Sequence, residues 1–82
     1  MQQKIIRHYG YQHQLVKLVE ETRELEEVIL YETNNEEHLI EEIADVLNLI
    51  EQIIIHKKWS SKIQEVKEFK IKRQIGRIEN EL

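Results

Sequence analysis

Hydrophobic residues recur three or four positions apart over long stretches of the chain, which is the spacing of one face of an α-helix. One such stretch runs from Tyr11 to about Thr33, a second from about Glu36 to Lys57, and a third from about Lys62 towards the C-terminus. A shorter segment that ends near Gly10 precedes them. The first stripe comprises Leu15, Leu18, Thr22, Leu25 and Ile29. The pattern predicts an all-α protein with three main helices and a short N-terminal helix.

The connections between these predicted helices are short and carry helix-capping residues. Asn34 stands three residues before Glu37, and Ser61 stands three residues before Gln64, so both pairs fit the pattern of a capping box. Gly76 interrupts the last predicted helix and is expected to weaken it locally. With no linker, repeat or low-complexity segment, residues 1–82 are predicted to form a single small helical bundle.

The apolar stripes are wider than a monomer of this size needs. In the second main helix the stripe comprises Leu39, Ile43, Val46, Leu47, Ile50 and Ile54, and Leu49 and Ile53 widen it further. In the last helix Ile71, Ile75, Ile78 and Leu82 share one side. Because a domain of this size buries only part of its surface, we expect a homodimer or homotetramer to complete the bundle.

The composition excludes several classes of protein. The 82 residues include no cysteine, so neither a disulfide framework nor a thiolate zinc site is available. A hydrophobic fraction of 40% is too high for a disordered protein. The first ten residues, MQQKIIRHYG, lack the apolar stretch of a signal peptide, and no run approaches the length of a membrane-spanning helix. We therefore expect a cytoplasmic protein without a membrane partner.

The net charge of −4 conceals an asymmetry along the chain. Between residues 20 and 51 Arg23 is the single Lys or Arg among many glutamates and one aspartate, whereas the chain becomes basic from Lys57 onward. This division suggests that an acidic and a basic pole meet in the fold. The overall acidity and the single phenylalanine, Phe69, argue against nucleic acid as a partner.

Two pairs of carboxylates lie on predicted helix faces that also carry apolar residues. Glu21 and Glu24 are three residues apart, and so are Glu42 and Asp45. Residues at this spacing are neighbours on a helix, and antiparallel packing of the two helices would bring all four carboxylates together. An oxygen-only ligand set suits Mg²⁺, or Mn²⁺ as a substitute. The alternative is a solvated acidic surface, which the spacing alone favours. His38 shows no spacing that predicts a partner, and it is assigned no role.

The stretches KLVEETREL and EEIADVL resemble the paired E-x-x-E and E-x-x-D motifs of the MazG-like all-α nucleoside triphosphate pyrophosphohydrolases. Here the motifs are Glu21-Thr-Arg-Glu24 and Glu42-Ile-Ala-Asp45, flanked by Lys17-Leu18, Leu25 and Val46-Leu47. The end of the chain, VKEFKIKRQIGRIE, is similar to the tail of short phage-type members.

This resemblance implies a helical bundle that assembles as dimers or tetramers and cleaves a (deoxy)nucleoside triphosphate between its α- and β-phosphates with the help of Mg²⁺. The products would be the monophosphate and pyrophosphate. By motif position, the metal ligands and catalytic residues would be Glu21, Glu24, Glu42 and Asp45.

Several other residues are candidates for substrate contacts. The basic face of the last helix would bind phosphate through Lys70 and Arg73, with Arg77 as a third candidate, or it is a solvated cationic face. Asn48 would touch a metal-bound water or the sugar, and His13 and Trp59 would help to bind the base, although all three residue types also serve ordinary packing roles. The competing functional class is a non-catalytic helical interaction module, or a family member that has kept the fold and lost the activity.

Overall fold

The computed structural model describes residues 1–81, which form four α-helices. They are α1 (Gln2–Tyr9), α2 (Tyr11–Tyr31), α3 (Glu36–Lys57) and α4 (Ser60–Glu81). The predicted all-α bundle, with a short helix before three long ones, is thus confirmed. None of the helices in this part of the chain combines the length and the apolar character that crossing a bilayer requires.

The core lies among α1, α2 and α3, and α2 and α3 share the largest contact. The buried hydrophobic side chains are Ile6, Val28, Val46, Leu49 and Ile53. On α2 the buried positions are Gln14, Glu21 and Val28, seven residues apart, so the predicted stripe is wrong at Thr22 and Ile29, which are exposed.

The buried face of α3 also differs from the predicted one. Leu49 and Ile53, which were expected only to widen the stripe, lie at its centre, whereas Ile43, Leu47 and Ile50 are exposed. The reason is that a 22-residue helix with apolar residues on so much of its circumference can bury only the side that faces α1 and α2.

A chain of hydrogen bonds between side-chain amides joins α1 to the other two helices. Gln14 Nε2 donates to Gln52 Oε1 over 2.7 Å, and Gln52 Nε2 donates to Gln2 Oε1 over 2.9 Å. Gln2 Nε2 in turn donates to Asn48 Oδ1 over 3.0 Å. Because Gln14 and Gln52 are both buried, these hydrogen bonds offset the cost of removing two amides from water. They also fix Asn48 beside the N-terminal helix.

Tyr11, Glu36 and Lys57 are helix ends as predicted, whereas α2 ends two residues before Thr33 and α4 begins two residues before Lys62. Asn35, rather than Asn34, caps α3, since its side chain accepts a hydrogen bond of 3.1 Å from the backbone N–H of His38. The first backbone hydrogen bond of α4 joins Ile63 N–H to the carbonyl of Trp59 over 2.9 Å, which places Ser61 inside the helix. Asn34 and Ser61 therefore match the capping pattern without acting as caps.

Helix α4 extends away from the rest of the chain. It has no buried residue, and the principal contacts between helices join α1, α2 and α3. The radius of gyration is 15.9 Å, whereas about 12 Å is typical of a compact domain of this length. Consequently the acidic helices and the basic helix do not pack together within one chain, contrary to the expectation that the two poles meet. Leu82, predicted to extend the apolar side of α4, lies outside the described residues.

The two glycines are expected to respond in opposite ways to replacement by alanine. Gly10 joins α1 to α2 with a φ of 93°, which L-residues rarely adopt, whereas Gly76 lies inside α4 without a positive φ. A Cβ at either position would meet nothing within 4 Å, so the backbone alone decides the effect. Gly10→Ala is expected to lower the free energy of unfolding by about 1–3 kcal/mol. Gly76→Ala is expected to raise the helicity and to stabilise α4 by about 0.5–1 kcal/mol.

Urea unfolding followed by circular dichroism measures both effects, and each variant serves as the control for the other. Equal stability of Gly10→Ala and the parent would contradict the strained conformation at the junction of α1 and α2.

Candidate metal centre

Three of the four predicted metal ligands come together between α2 and α3. Glu21, Glu24 and Glu42 each place one carboxylate oxygen within 4.8 Å of the other two. The helices run antiparallel, because Gln14 pairs with Gln52 near one end and Glu32 contacts His38 near the other. This orientation, which the short connection between the helices imposes, is what aligns the two acidic motifs.

The two inward-facing carboxylates of this cluster are buried, and each has one oxygen without a hydrogen-bond donor. Glu21 is 8% exposed and Glu42 is 7% exposed, whereas Glu24 is exposed. Within residues 1–81, Glu21 Oε2 and Glu42 Oε2 find no hydrogen-bond donor, although both atoms are buried. A buried anionic oxygen without a donor is costly, and a cation is the group that would satisfy two of them at once.

Burial and neighbouring charge raise the pKa of Glu21. The largest cause is removal of the carboxylate from water, and the negative charges of Glu24, Asp45 and Glu42 add to it. Each of these effects disfavours the ionised form. A divalent cation would reverse them, because it interacts favourably with every carboxylate of the group.

Asp45, the fourth predicted ligand, lies beside the cluster rather than in the set of three. It lines a small cleft of about 210 Å³ together with Gln14, Lys17, Glu21, Asn48 and Leu49. Its charge reaches Glu21, as the effect on the pKa of that residue shows. A second cleft, of about 360 Å³, opens on the side of Glu24, Glu42 and His38. The buried carboxylates therefore separate two open surfaces.

Two side chains that contact the cluster were not assigned to it from the sequence. Lys17 Nζ lies 3.6 Å from Glu21 Oε1, and His38 Nε2 lies 3.3 Å from Glu42 Oε1. His38 also contacts Glu32 through Nδ1, at 3.0 Å. Both contacts with the cluster join residues four apart on one helix, so the spacing in the sequence contained the signal. The prediction that His38 has no partner is wrong for this reason.

The predicted substrate-binding residues lie at three separate places. Asn48 is at the edge of the cleft that contains Asp45. His13 is exposed, with Nδ1 2.7 Å from Gln14 Oε1 and its ring stacked on Tyr9 at a centroid distance of 5.1 Å. Trp59 lies in the connection between α3 and α4. The basic residues Lys70, Arg73 and Arg77 are exposed on α4, which does not bring them to the carboxylates of the same chain.

Two carboxylates around His38 raise its pKa above the ordinary value of 6.5. The hydrogen bond to Glu32 is the largest cause, the charges of Glu32 and Glu42 add to it, and burial opposes it. A raised folded-state pKa means that the stabilising contribution is fully present below 6.5 and is lost as the pH rises through the raised value.

Replacing Glu32 by Gln should lower the pKa of His38, and NMR titration of the imidazole measures the change. Glu36→Gln, in the first turn of α3, which also contains His38, is the control and should leave the titration of His38 unchanged. The same titration midpoint in Glu32→Gln and the parent would contradict the contact.

Comparison with known proteins identifies no relative of this chain: no family model matches it, and no curated protein or solved structure matches it either. The four helices and the carboxylate cluster are therefore the observations from which a function must be argued.

Proposed function

We propose that the protein is a metal-dependent nucleoside triphosphate pyrophosphohydrolase of the MazG-like class, which cleaves a (deoxy)nucleoside triphosphate to the monophosphate and pyrophosphate. The observation that carries the proposal is the pair of buried carboxylate oxygens, on Glu21 and Glu42, that have no donor within residues 1–81. A solvated acidic surface, the alternative from the sequence, would not bury these atoms. The resemblance of the two acidic motifs to the family supplies the reaction.

The residues present fit a hard divalent cation. Glu21, Glu24 and Glu42 offer oxygen ligands within reach of one ion, and Asp45 lies on the adjoining cleft. Such a set suits Mg²⁺, with Mn²⁺ as a substitute. When bound, the ion would neutralise phosphate charge and make a bound water more acidic.

The side chains around the cluster would perform the remaining tasks of the reaction. One carboxylate of the cluster would orient the attacking water or accept its proton. Lys17 lies beside the cluster and would orient phosphate oxygens. Lys70, Arg73 and Arg77 stay predicted phosphate contacts, and Asn48, His13 and Trp59 stay predicted contacts to the nucleoside.

A single chain does not enclose a nucleotide. The two clefts at the carboxylates, about 210 Å³ and about 360 Å³, lie below or near the lower limit of the roughly 300–1,000 Å³ typical of small-molecule sites. The proposal therefore includes a homo-oligomer, in which a second copy helps to close the site.

Release of pyrophosphate from each common nucleoside triphosphate and deoxynucleoside triphosphate tests the proposed reaction. The assay compares Mg²⁺, Mn²⁺ and EDTA with the same protein preparation. Pyrophosphate that appears with either metal and disappears with EDTA would support the proposal and identify the base. If folded protein releases none from any nucleotide, the reaction is refuted and the helical interaction module becomes the better explanation.

A further inference from the structure

Helix α3 presents an apolar face that residues 1–81 leave exposed. Its buried side is centred on Glu42, Val46 and Leu49, and the exposed apolar face lies about 100° around the helix from it. The face comprises Ile40, Ile43, Leu47 and Ile50, and Leu47 is 51% exposed. Asp45 and Asn48 lie on the opposite flank of the helix, so this face is separate from the cleft at the carboxylates.

Helix α4 carries a matching apolar side that no other helix within residues 1–81 buries. Ile71, Ile75 and Ile78 repeat at intervals of four and three residues, and Ile75 is 50% exposed. Like α3, α4 is 22 residues long, so the two helices can lie side by side along their whole length. The connection of two residues, Lys58 and Trp59, directs α4 away from its own α3 rather than back along it.

The surface area indicates how much of this chain a partner would cover. The chain exposes 7051 Å² at a mass of 10.0 kDa. A compact monomer of that mass exposes about 5,200 Å², so roughly 1,800 Å² is in excess. Removing that area from each of two copies would bury about 3,600 Å², which is within the range of permanent homodimers.

The charges favour α4 of a second copy as the occupant of the α3 face. Helix α3 carries five glutamates and one aspartate against a single lysine, Lys57. Helix α4 carries six basic and four acidic residues. Pairing α3 with α3 would place acidic flanks together, whereas pairing α4 with α3 places opposite charges together around an apolar seam.

We propose that two copies of the chain exchange their C-terminal helices, with α4 of each copy lying along Ile40, Ile43, Leu47 and Ile50 of the other. Because every copy offers both surfaces, a two-fold arrangement uses each of them once and closes. The proposed function already includes a homo-oligomer, and the exchange specifies which two surfaces of the chain would form it. The exchange can occur whether or not the protein hydrolyses nucleotides.

The mass in solution tests the exchange. Light scattering after size exclusion should give a multiple of the chain mass for the parent. Leu47→Glu on α3 and Ile75→Glu on α4 should each convert it to the 10.0 kDa monomer. Leu30→Glu on α2 is the control, because Leu30 is exposed and lies outside both surfaces, and it should keep the parent mass. Circular dichroism verifies that each variant stays helical.

Cross-linking identifies which helices meet. Because the sequence contains no cysteine, each introduced cysteine is the single reactive thiol of its chain. Leu47→Cys and Ile75→Cys chains are mixed and joined with a short bismaleimide, and mass spectrometry identifies the linked peptides. The expected product joins α3 of one variant to α4 of the other. Val16→Cys, on α2, replaces Leu47→Cys in the control mixture and should give little of this product.

Three results would overturn the exchange. They are a monomeric parent, an oligomer that both glutamate variants leave intact, and linkage of Ile75→Cys chains only to one another. Because the readouts are mass and linkage, an inactive protein that still exchanges α4 would refute the reaction and leave the exchange standing.

Discussion

Glu42→Gln is expected to reduce metal-dependent pyrophosphate release by at least about 100-fold, since loss of an outer-shell partner of a metal ligand already costs about 10–100-fold. The amide keeps the shape of the side chain and removes its negative charge. Glu42 supplies one of the three oxygens that lie within 4.8 Å of one another, and its second oxygen is buried without a donor. The loss should appear in kcat and in the concentration of Mg²⁺ needed for half-maximal rate.

Glu41→Gln provides the matched control for this substitution. Glu41 precedes Glu42 on the same helix and is exposed, so its replacement makes the same chemical change in solvent. Its activity should equal that of the parent. A folded Glu42→Gln protein with the parent's rate would contradict the metal centre.

Asp45→Asn distinguishes two possible compositions of the centre. The resemblance to the MazG-like family implies that Asp45 is a ligand, whereas the structure places it beside the set of three and on the cleft with Lys17. A loss as large as that of Glu42→Gln would mean that Asp45 binds the ion. A loss near tenfold, with an unchanged requirement for Mg²⁺, would mean that it acts on the substrate instead.

The sequence predicts the helices well because their periodicity is a local property. Tyr11 and Lys57 are helix ends in the structure as they are in the pattern. The faces are harder to predict, since the buried side depends on which neighbours a helix meets. On α3 the apolar residues span so much of the circumference that Ile43 and Ile53 are equally plausible core positions, and only packing against α1 and α2 selects Ile53.

The candidate site is also predicted only in part from the sequence. Spacing places Glu21 beside Glu24 and Glu42 beside Asp45, and antiparallel packing then brings the two pairs together. Spacing does not give the burial that leaves Glu21 Oε2 and Glu42 Oε2 without donors. Spacing also does not place α4, because an amphipathic helix has the same sequence pattern whether it packs against its own chain or against another. Lys70 and Arg73 are predicted as phosphate contacts from their charge and shared face alone, and α4 does not bring them to the carboxylates of the same chain.

The contribution of Glu21 to the stability of the metal-free protein should be lost as the pH rises from below 4.5, the ordinary pKa of glutamate, through the raised pKa of Glu21. In this interval Glu21 binds more protons in the folded state than in the unfolded state, so its contribution to the free energy of unfolding decreases with pH. Glu21→Gln removes the titrating group, and the stability of that variant should depend less on pH across the interval. Urea unfolding at a series of pH values in EDTA measures the difference, with Glu26→Gln, an exposed position on α2, as the control.

Mg²⁺ should restore the stability that the clustered carboxylates remove. At a concentration about 100 times the Kd, a ligand specific to the folded state adds about 2.7 kcal/mol. For a domain of this size, that corresponds to a rise in Tm of about 10–20 °C. Glu21→Gln should be more stable than the parent in EDTA and should gain much less from Mg²⁺, because the cation no longer relieves repulsion at a buried anion. An equal rise in Tm in both proteins would mean that Mg²⁺ only screens surface charge. The buried carboxylates would then destabilise the fold, and no bound metal would offset that effect.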